Sequence, residues 1–299
     1  MIDINPVKRA AAALMHRTAI TSLSSGLQRL MLAPFVRVLY YHDVPPAMAG
    51  DFARQLQFFK QHYVPASKAD LDGLLKYGIW SHDRPGIILT FDDGLRSHAE
   101  VVAPILEEFG FQGWFFIPID LVTLDAREHP AAAIRHDVLH ECDTAADPRV
   151  FMSAAELLAL DDRHVVGCHT GTHVRLCAQL SAGQLQTELV NSKQRLEFIL
   201  GHRVDSFSWV GGEEWAYSPA AAQIAAGLFD YVFTTNTSVA RSGTSRLNID
   251  RTHVEAWFSA SLVRLQLSGM MDFYYRSKRR RLSECLSPCS AAAAGALGK

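Results

Sequence analysis

The feature that most constrains this chain is a series of short apolar runs recurring between segments of helical period. Six stand out: VRVLYYH (36–42), PGIILTF (85–91), GWFFIP (113–118), HVVGCH (164–169), DSFSWV (205–210) and YVFTTN (231–236). Each has the length of a strand, and parallel strands buried on both faces read as such continuous runs. Between several of them lie patterns such as Ala99, Val102, Leu106 and Phe109, or Leu185, Leu189, Leu196 and Leu200, spaced for one face of a helix. Strand alternating with helix predicts an α/β fold with a parallel sheet, open or closed into a barrel. No repeat or Gly/Ser linker divides residues 35 to 260. In such sheets functional side chains gather where strands end in loops, at the C-terminal edge.

A chain of 299 residues, 48% hydrophobic, has enough apolar material for one substantial core. Its net charge of −2 argues against a dedicated nucleic-acid binder, which would carry a basic excess. The five cysteines, Cys142, Cys168, Cys177, Cys285 and Cys289, are odd in number and lack framework spacing, which fits a reducing compartment. Near the start, KRAAAALMHRTAI is too short an apolar stretch, and too interrupted by His16 and Arg17, for a secretory signal or a membrane span. A cytoplasmic protein is therefore expected.

Three regions follow. Residues 1–34 form an N-terminal segment in which 5–32 reads as an amphipathic helix, with Ile20, Leu23, Leu27, Leu30 and Met31 on one face and Lys8, Arg9, Arg17 and Arg29 among the rest. Residues 35–258 are the α/β domain. Residues 259–299 read as a helix, LVRLQLSGMMDFYYRSKRRRL, running into a basic cluster and a low-complexity tail, SAAAAGALGK, expected to be disordered.

Two short stretches carry chemistry. TFDDG (90–94) places two carboxylates side by side directly after a buried run. Adjacent anions are costly away from water unless something positive sits beside them, so a cation is expected there. HTGTH (169–173) follows another short run, and two histidines four residues apart can turn both imidazoles to one ion. Joined by one carboxylate they make a two-histidine, one-carboxylate site with open positions for water and substrate, which suits metal-assisted hydrolysis. The second carboxylate is then free to take a proton from water. Glycoside hydrolysis by the two acids is disfavoured, because neighbouring side chains on an extended strand end diverge.

In this order, TFDDG and HTGTH resemble the motifs of the polysaccharide deacetylases, the NodB-homology family. LYYHDV, WFFIP, FMSAAELLAL leading to GCHTGTH, FSWVGG and RLNIDRTHV add to the resemblance, which spans roughly residues 35 to 255. It implies a distorted (β/α) barrel of about seven parallel strands and a hydrolase that removes N- or O-acetyl groups from sugars with a divalent metal, most often Zn2+. Carried over by position, Asp92 is the general base, and Asp93, His169 and His173 are the metal ligands. Backbone N–H groups around Val210 and Gly211 are the expected oxyanion donors, and His42 in LYYHDV falls at a position near the pocket. The expected partner is an acetylated sugar or glycan, and the expected setting is surface polysaccharide biosynthesis, on a soluble or lipid-linked intermediate.

The sequence departs from the family where residues 207–212 read Phe-Ser-Trp-Val-Gly-Gly, without the arginine that orients the base. Arg251 in NIDRTHV is the substitute, as in relatives with a late arginine segment, and His253, two residues on and on the same side of a strand, is the candidate general acid. The missing arginine and the altered third motif also motivate a rival reading, a carbohydrate-binding pseudoenzyme; a hydrolase of a non-sugar amide or formyl group shares every catalytic residue.

Simpler roles compete at several positions. Trp209 and Trp215 suit sugar stacking or core packing equally. The segment RHDVLHE, with His136, Asp137, His140 and Glu141, reads first as a solvated loop or short helix. Glu213 and Glu214 read as exposed charges, and Cys168 should point away from the metal. RSKRRR (276–281) reads first as a solvated basic tail and second, with the basic N-terminus, as peripheral contact with lipid headgroups at the inner membrane.

Overall fold

The computed structural model describes residues 20–32, 34–140 and 148–286. Expectations for residues 5–19, Glu141, Cys142, Cys289 and the tail 290–299 lie outside the described residues. Eight strands form one sheet: β1 (Val36–Tyr41), β2 (Val64–Pro65), β3 (Gly86–Phe91), β4 (Gly113–Ile117), β5 (Val165–Cys168), β6 (Ser206–Ser208), β7 (Tyr231–Phe233) and β8 (Thr252–His253). Seven run in the order β7-β6-β5-β4-β3-β1-β8, with β2 paired to β3 off this path, and every pairing is parallel. This half-barrel with helices around it has the parallel sheet that the strand and helix pattern predicts and matches the distorted (β/α) barrel that the family resemblance implies.

Register decides what the sheet presents. β1 and β3 pair from Val36↔Gly86 to Tyr41↔Phe91, so His42 and Asp92 follow at one level. Ile117 pairs with Cys168, Cys168 with Phe207, and Tyr40 with His253, which brings His169 and His253 to the same C-terminal rim. The period of two divides the core between the faces of the sheet. Leu39, Tyr41, Leu89, Phe91, Phe115 and Ile117 pack with most of the helices, while Val36, Val38, Ile88, Trp114, Phe116 and Phe233 fill the other face.

Three differences from the sequence reading have physical causes. The strands β2 and β8 are two residues long, too short to leave a run. The C-terminal region is three helices, Ala260–Leu267, Met270–Tyr274 and Arg276–Leu286, because Gly269 takes φ 81° and ends the first of them. The basic cluster is also not a solvated tail. Within the last helix, Lys278 donates to Gly212 O, Arg279 donates to Thr237 O and Asp272 O and pairs with Asp250, and Arg281 pairs with Glu214, so carbonyls and two carboxylates draw three of the cations onto the body. No described helix is long and apolar enough to cross a membrane.

Candidate metal centre

The two carboxylates do not diverge. Asp92 continues the alternation of β3, but Asp93 adopts φ 80° and leaves the extended conformation, which folds its carboxylate back to the same rim. Both then face one imidazole: His169 Nε2 lies 3.6 Å from Asp93 Oδ1 and 4.0 Å from Asp92 Oδ2. The expectation of divergence fails because it assumes an extended strand end.

His173 Nε2 lies 3.1 Å from the same Asp93 Oδ1. One ligand atom from each of Asp93, His169 and His173 fits within 4.8 Å of the others. The imidazoles are held for ligation by their other nitrogens. His169 Nδ1 donates to Ser208 O at 2.9 Å and His173 Nδ1 to His136 O at 2.6 Å, which turns each Nε2 toward Asp93; against burial, Asp93 raises the His173 pKa. Burial, followed by His173, lowers the His169 pKa to about 4, despite Asp92, which keeps that ring neutral as a ligand must be. The buried Asp93 Oδ1 accepts no hydrogen bond among the described residues. A buried carboxylate oxygen facing two imidazole Nε2 atoms fits a divalent cation with nitrogen and oxygen ligands, which would take the place of a proton between them.

The HTGTH loop is braced from beneath. Gly171 N, Thr172 N and Thr172 Oγ1 all donate to Glu188, at 2.9, 2.9 and 2.8 Å. Gly171 leaves no room for a side chain, since a Cβ there would meet Asp120 Oδ2 at 2.6 Å. Thr170 and His173 have φ 62° and 59°. Neither Glu188 nor the His136 carbonyl was legible in the sequence: the first lies outside the motif, and the second acts through backbone, whatever its side chain.

Arg251 is fully buried, and its guanidinium grips Asp92 through both oxygens, Nη1 to Oδ1 at 2.7 Å and Nη2 to Oδ2 at 2.8 Å. Nη1 also donates to Thr90 Oγ1 and Nε to Thr234 O. Burial works against the Asp92 charge, but Arg251 and then His169 outweigh it and hold the carboxyl below its usual range.

Beside this pair lies a second cluster, centred on Glu255, which the sequence reading missed. Its Oε1 is 2.6 Å from His42 Nδ1 and 2.8 Å from His253 Nε2. The position shows in sequence only as a glutamate two residues beyond His253, one β-period away. His253 is stacked on Tyr40, with ring centroids 4.9 Å apart, and its Nε2 is committed to Glu255. His42 commits only Nδ1. Burial alone would depress the His42 pKa, but Glu255, then Asp93 and Asp92, raise it to about 9.

On the loop after β6, Trp209 is 1% exposed and packs on Phe207 and Tyr217, so core packing excludes the sugar-stacking role considered for it. Trp215, 61% exposed with Arg175 over its ring, has a face to offer. Val210 is buried, and Gly211 turns the loop at φ 78° with its carbonyl held by the hydroxyls of Tyr217 and Thr235. Glu213 approaches Arg175 and Glu214 pairs with Arg281. Cys168 is buried in the core, away from the ligands.

The family model for polysaccharide deacetylase matches residues 81–228, which include TFDDG and HTGTH. The chain carries a polysaccharide deacetylase domain. Several solved structures share the fold of this domain. IcaB from Ammonifex degensii is 20% identical, with TM-score 0.61, over 79% of this chain and 97% of that one. The deacetylase PplD from Streptococcus pyogenes is 19% identical, with TM-score 0.60, over 78% and 98%. A de-N-acetylase from Aggregatibacter actinomycetemcomitans is 15% identical, with TM-score 0.59, over 78% and 99%. No curated protein sequence matches the chain. The family match holds the deacetylase domain's two acids and two histidines, whereas His42, Arg251, His253 and Glu255 lie outside it.

Proposed function

We propose that this chain is a metal-dependent hydrolase that removes an acetyl group, N-linked in preference to O-linked, from a sugar of a glycan or lipid-linked glycan intermediate in surface polysaccharide biosynthesis. One observation carries the reading: Asp93, His169 and His173 converge on a common point next to an aspartate clamped by a buried arginine. The sugar substrate is supported by the family and by neighbours that are themselves named deacetylases. The cytoplasmic setting, peripheral to the inner membrane, rests on the sequence reading alone.

A divalent ion, Zn2+ first, held by Asp93, His169 and His173 supplies Lewis acidity that acidifies water and polarises an acyl oxygen. Asp92 takes the proton of the attacking water, and Arg251 keeps its carboxylate ionised and aimed. As the oxygen of water bonds to the acyl carbon, the N–H groups of Val210 and Gly211 stabilise charge on the acyl oxygen. The C–N bond then breaks, and the departing nitrogen takes a proton from Nε2 of His42, leaving acetate and a free amine. His42 suits this role better than His253, because its Nε2 is uncommitted while that of His253 is tied to Glu255. Arg251 against Asp92 answers one motive of the pseudoenzyme reading, the missing arginine; the altered third motif, Phe207 to Gly212, is the other, and acetate release decides between the readings.

The test is acetate release from N-acetylglucosamine oligomers and lipid-linked N-acetyl sugars, with zinc content measured on the same preparation. Asp92→Asn should keep the metal and abolish release. Full zinc loading with no release from any acetylated sugar would sink the proposal.

A further inference from the structure

Helix Ile20–Leu32 is packed inside out. Apart from Leu32, which packs on the core, its inward stripe is polar, with Thr21 and Gln28 buried and Ser24 half-buried, while Ile20, Leu23, Leu27, Leu30 and Met31 face solvent, Leu30 at 84% exposure. Hydrogen bonds hold this orientation. Gln28 Nε2 donates to Asp272 Oδ2 at 2.7 Å, and Gln28 Oε1 accepts from Nη2 of the fully buried Arg37 at 3.0 Å. Arg37 in turn grips both oxygens of Asp272, at 2.8 and 2.9 Å. Ser24 Oγ donates to Ser268 O, and Gly269 makes room for Gln28, since a Cβ there would come within 2.8 Å of it. Rotating the apolar side inward would strip a buried ion pair of its amide partner.

We infer that this outward apolar face seats on an anionic lipid surface. Phe273 and Tyr274, next to the anchoring Asp272, are likewise exposed. They lead into the last helix, where Arg276 and Arg280 remain exposed after their neighbours dock on the body. Exposed apolar and aromatic side chains, with the exposed guanidinium of Arg276 four residues beyond Asp272 and that of Arg280 in an exposed pair with Glu284, match the boundary between acyl chains and anionic headgroups. A second copy fits less well. A helix of 13 residues is about 20 Å long and about 10 Å wide, so a face-to-face pair would bury well under the ~800 Å² per partner of a stable dimer.

The full chain should co-sediment with phosphatidylcholine vesicles containing phosphatidylglycerol, and more weakly with phosphatidylcholine alone. Leu23→Ser with Leu27→Ser and Leu30→Ser should weaken binding by at least about ten-fold with an unchanged melting temperature, as the replaced side chains are already exposed. Arg276→Glu with Arg280→Glu should weaken it only on anionic vesicles. Absence of binding, equal binding by the triple serine variant, or a dimer in light scattering that this variant splits would each overturn the inference. None of these outcomes bears on acetate release from soluble oligomers, so the hydrolase reading stands or falls separately.

Discussion

Arg251 and Asp92 meet end to end, two nitrogens on two oxygens, although 159 residues separate them in the chain. The clamp is buried on both sides, so it fixes the direction of the carboxylate as well as its charge.

Arg251→Lys should therefore cut kcat by about a hundred-fold with little change in KM, because a lysine offers charge without the fork. Arg251→Met, which leaves Asp92 buried and unpaired, should cost about 3–5 kcal/mol of stability. Adding Asp92→Asn should recover much of that stability and none of the activity. Urea unfolding and steady-state kinetics on the three variants check this.

The metal reading predicts a ligand-linked gain in stability. Zn2+ at about a hundred times its Kd should stabilise the chain by about 2.7 kcal/mol. Asp93→Asn should show little of this gain. Thermal melts with and without zinc, following dialysis against a chelator, measure it.

Glu188 touches only the backbone and one hydroxyl of the ligand loop, so its effect should appear in metal affinity. Glu188→Ala should weaken zinc binding by about 10–100-fold, and saturating zinc should restore most of kcat. Competition with a chromophoric chelator gives the affinity. Unchanged affinity would remove the brace from the account.

The pH profile separates the two histidines. His42 must be protonated to donate, and Glu255 outweighs burial to raise its pKa to about 9, so activity should persist through neutrality and fall as pH rises through about 9. Glu255→Gln should draw this limb down toward the ordinary imidazole value of about 6.5. The same shift contributes stability that is complete below about pH 6.5 and lost as pH rises through about 9. His42→Ala should lower kcat by about 10²–10⁴, and His253→Ala by much less. A larger loss from His253→Ala would return the donor role to His253.

The sheet was legible because parallel strands buried on both faces leave continuous runs; β3, buried at every residue, is the clearest case. Asp93, His169 and His173, whose ligand atoms the fold brings together, could be singled out because a two-histidine, one-carboxylate set has a recognisable spacing, and Asp92 because it stands beside Asp93. Arg251 could be placed by its resemblance to relatives with a late arginine. Glu255 and Glu188 could not, because a carboxylate that positions another side chain looks like any surface acid until the fold closes. Trp209 misled for a related reason: whether an aromatic ring packs or binds depends on which way its loop turns. For helix Ile20–Leu32 the apolar stripe itself was correct, but a stripe does not say which side meets the protein, and here the buried Arg37–Asp272 pair decides.

Among the described residues, four that are not glycine have positive φ, and three of them, Asp93, Thr170 and His173, belong to the two motifs. L-residues pay about 1 kcal/mol to sit there, and glycine does not. Asp93→Gly should therefore give a chain that resists unfolding better than its parent while losing the ion. In that sense the folded state carries a tension kept for catalysis, and selection for robustness alone would erode the ligand loops first.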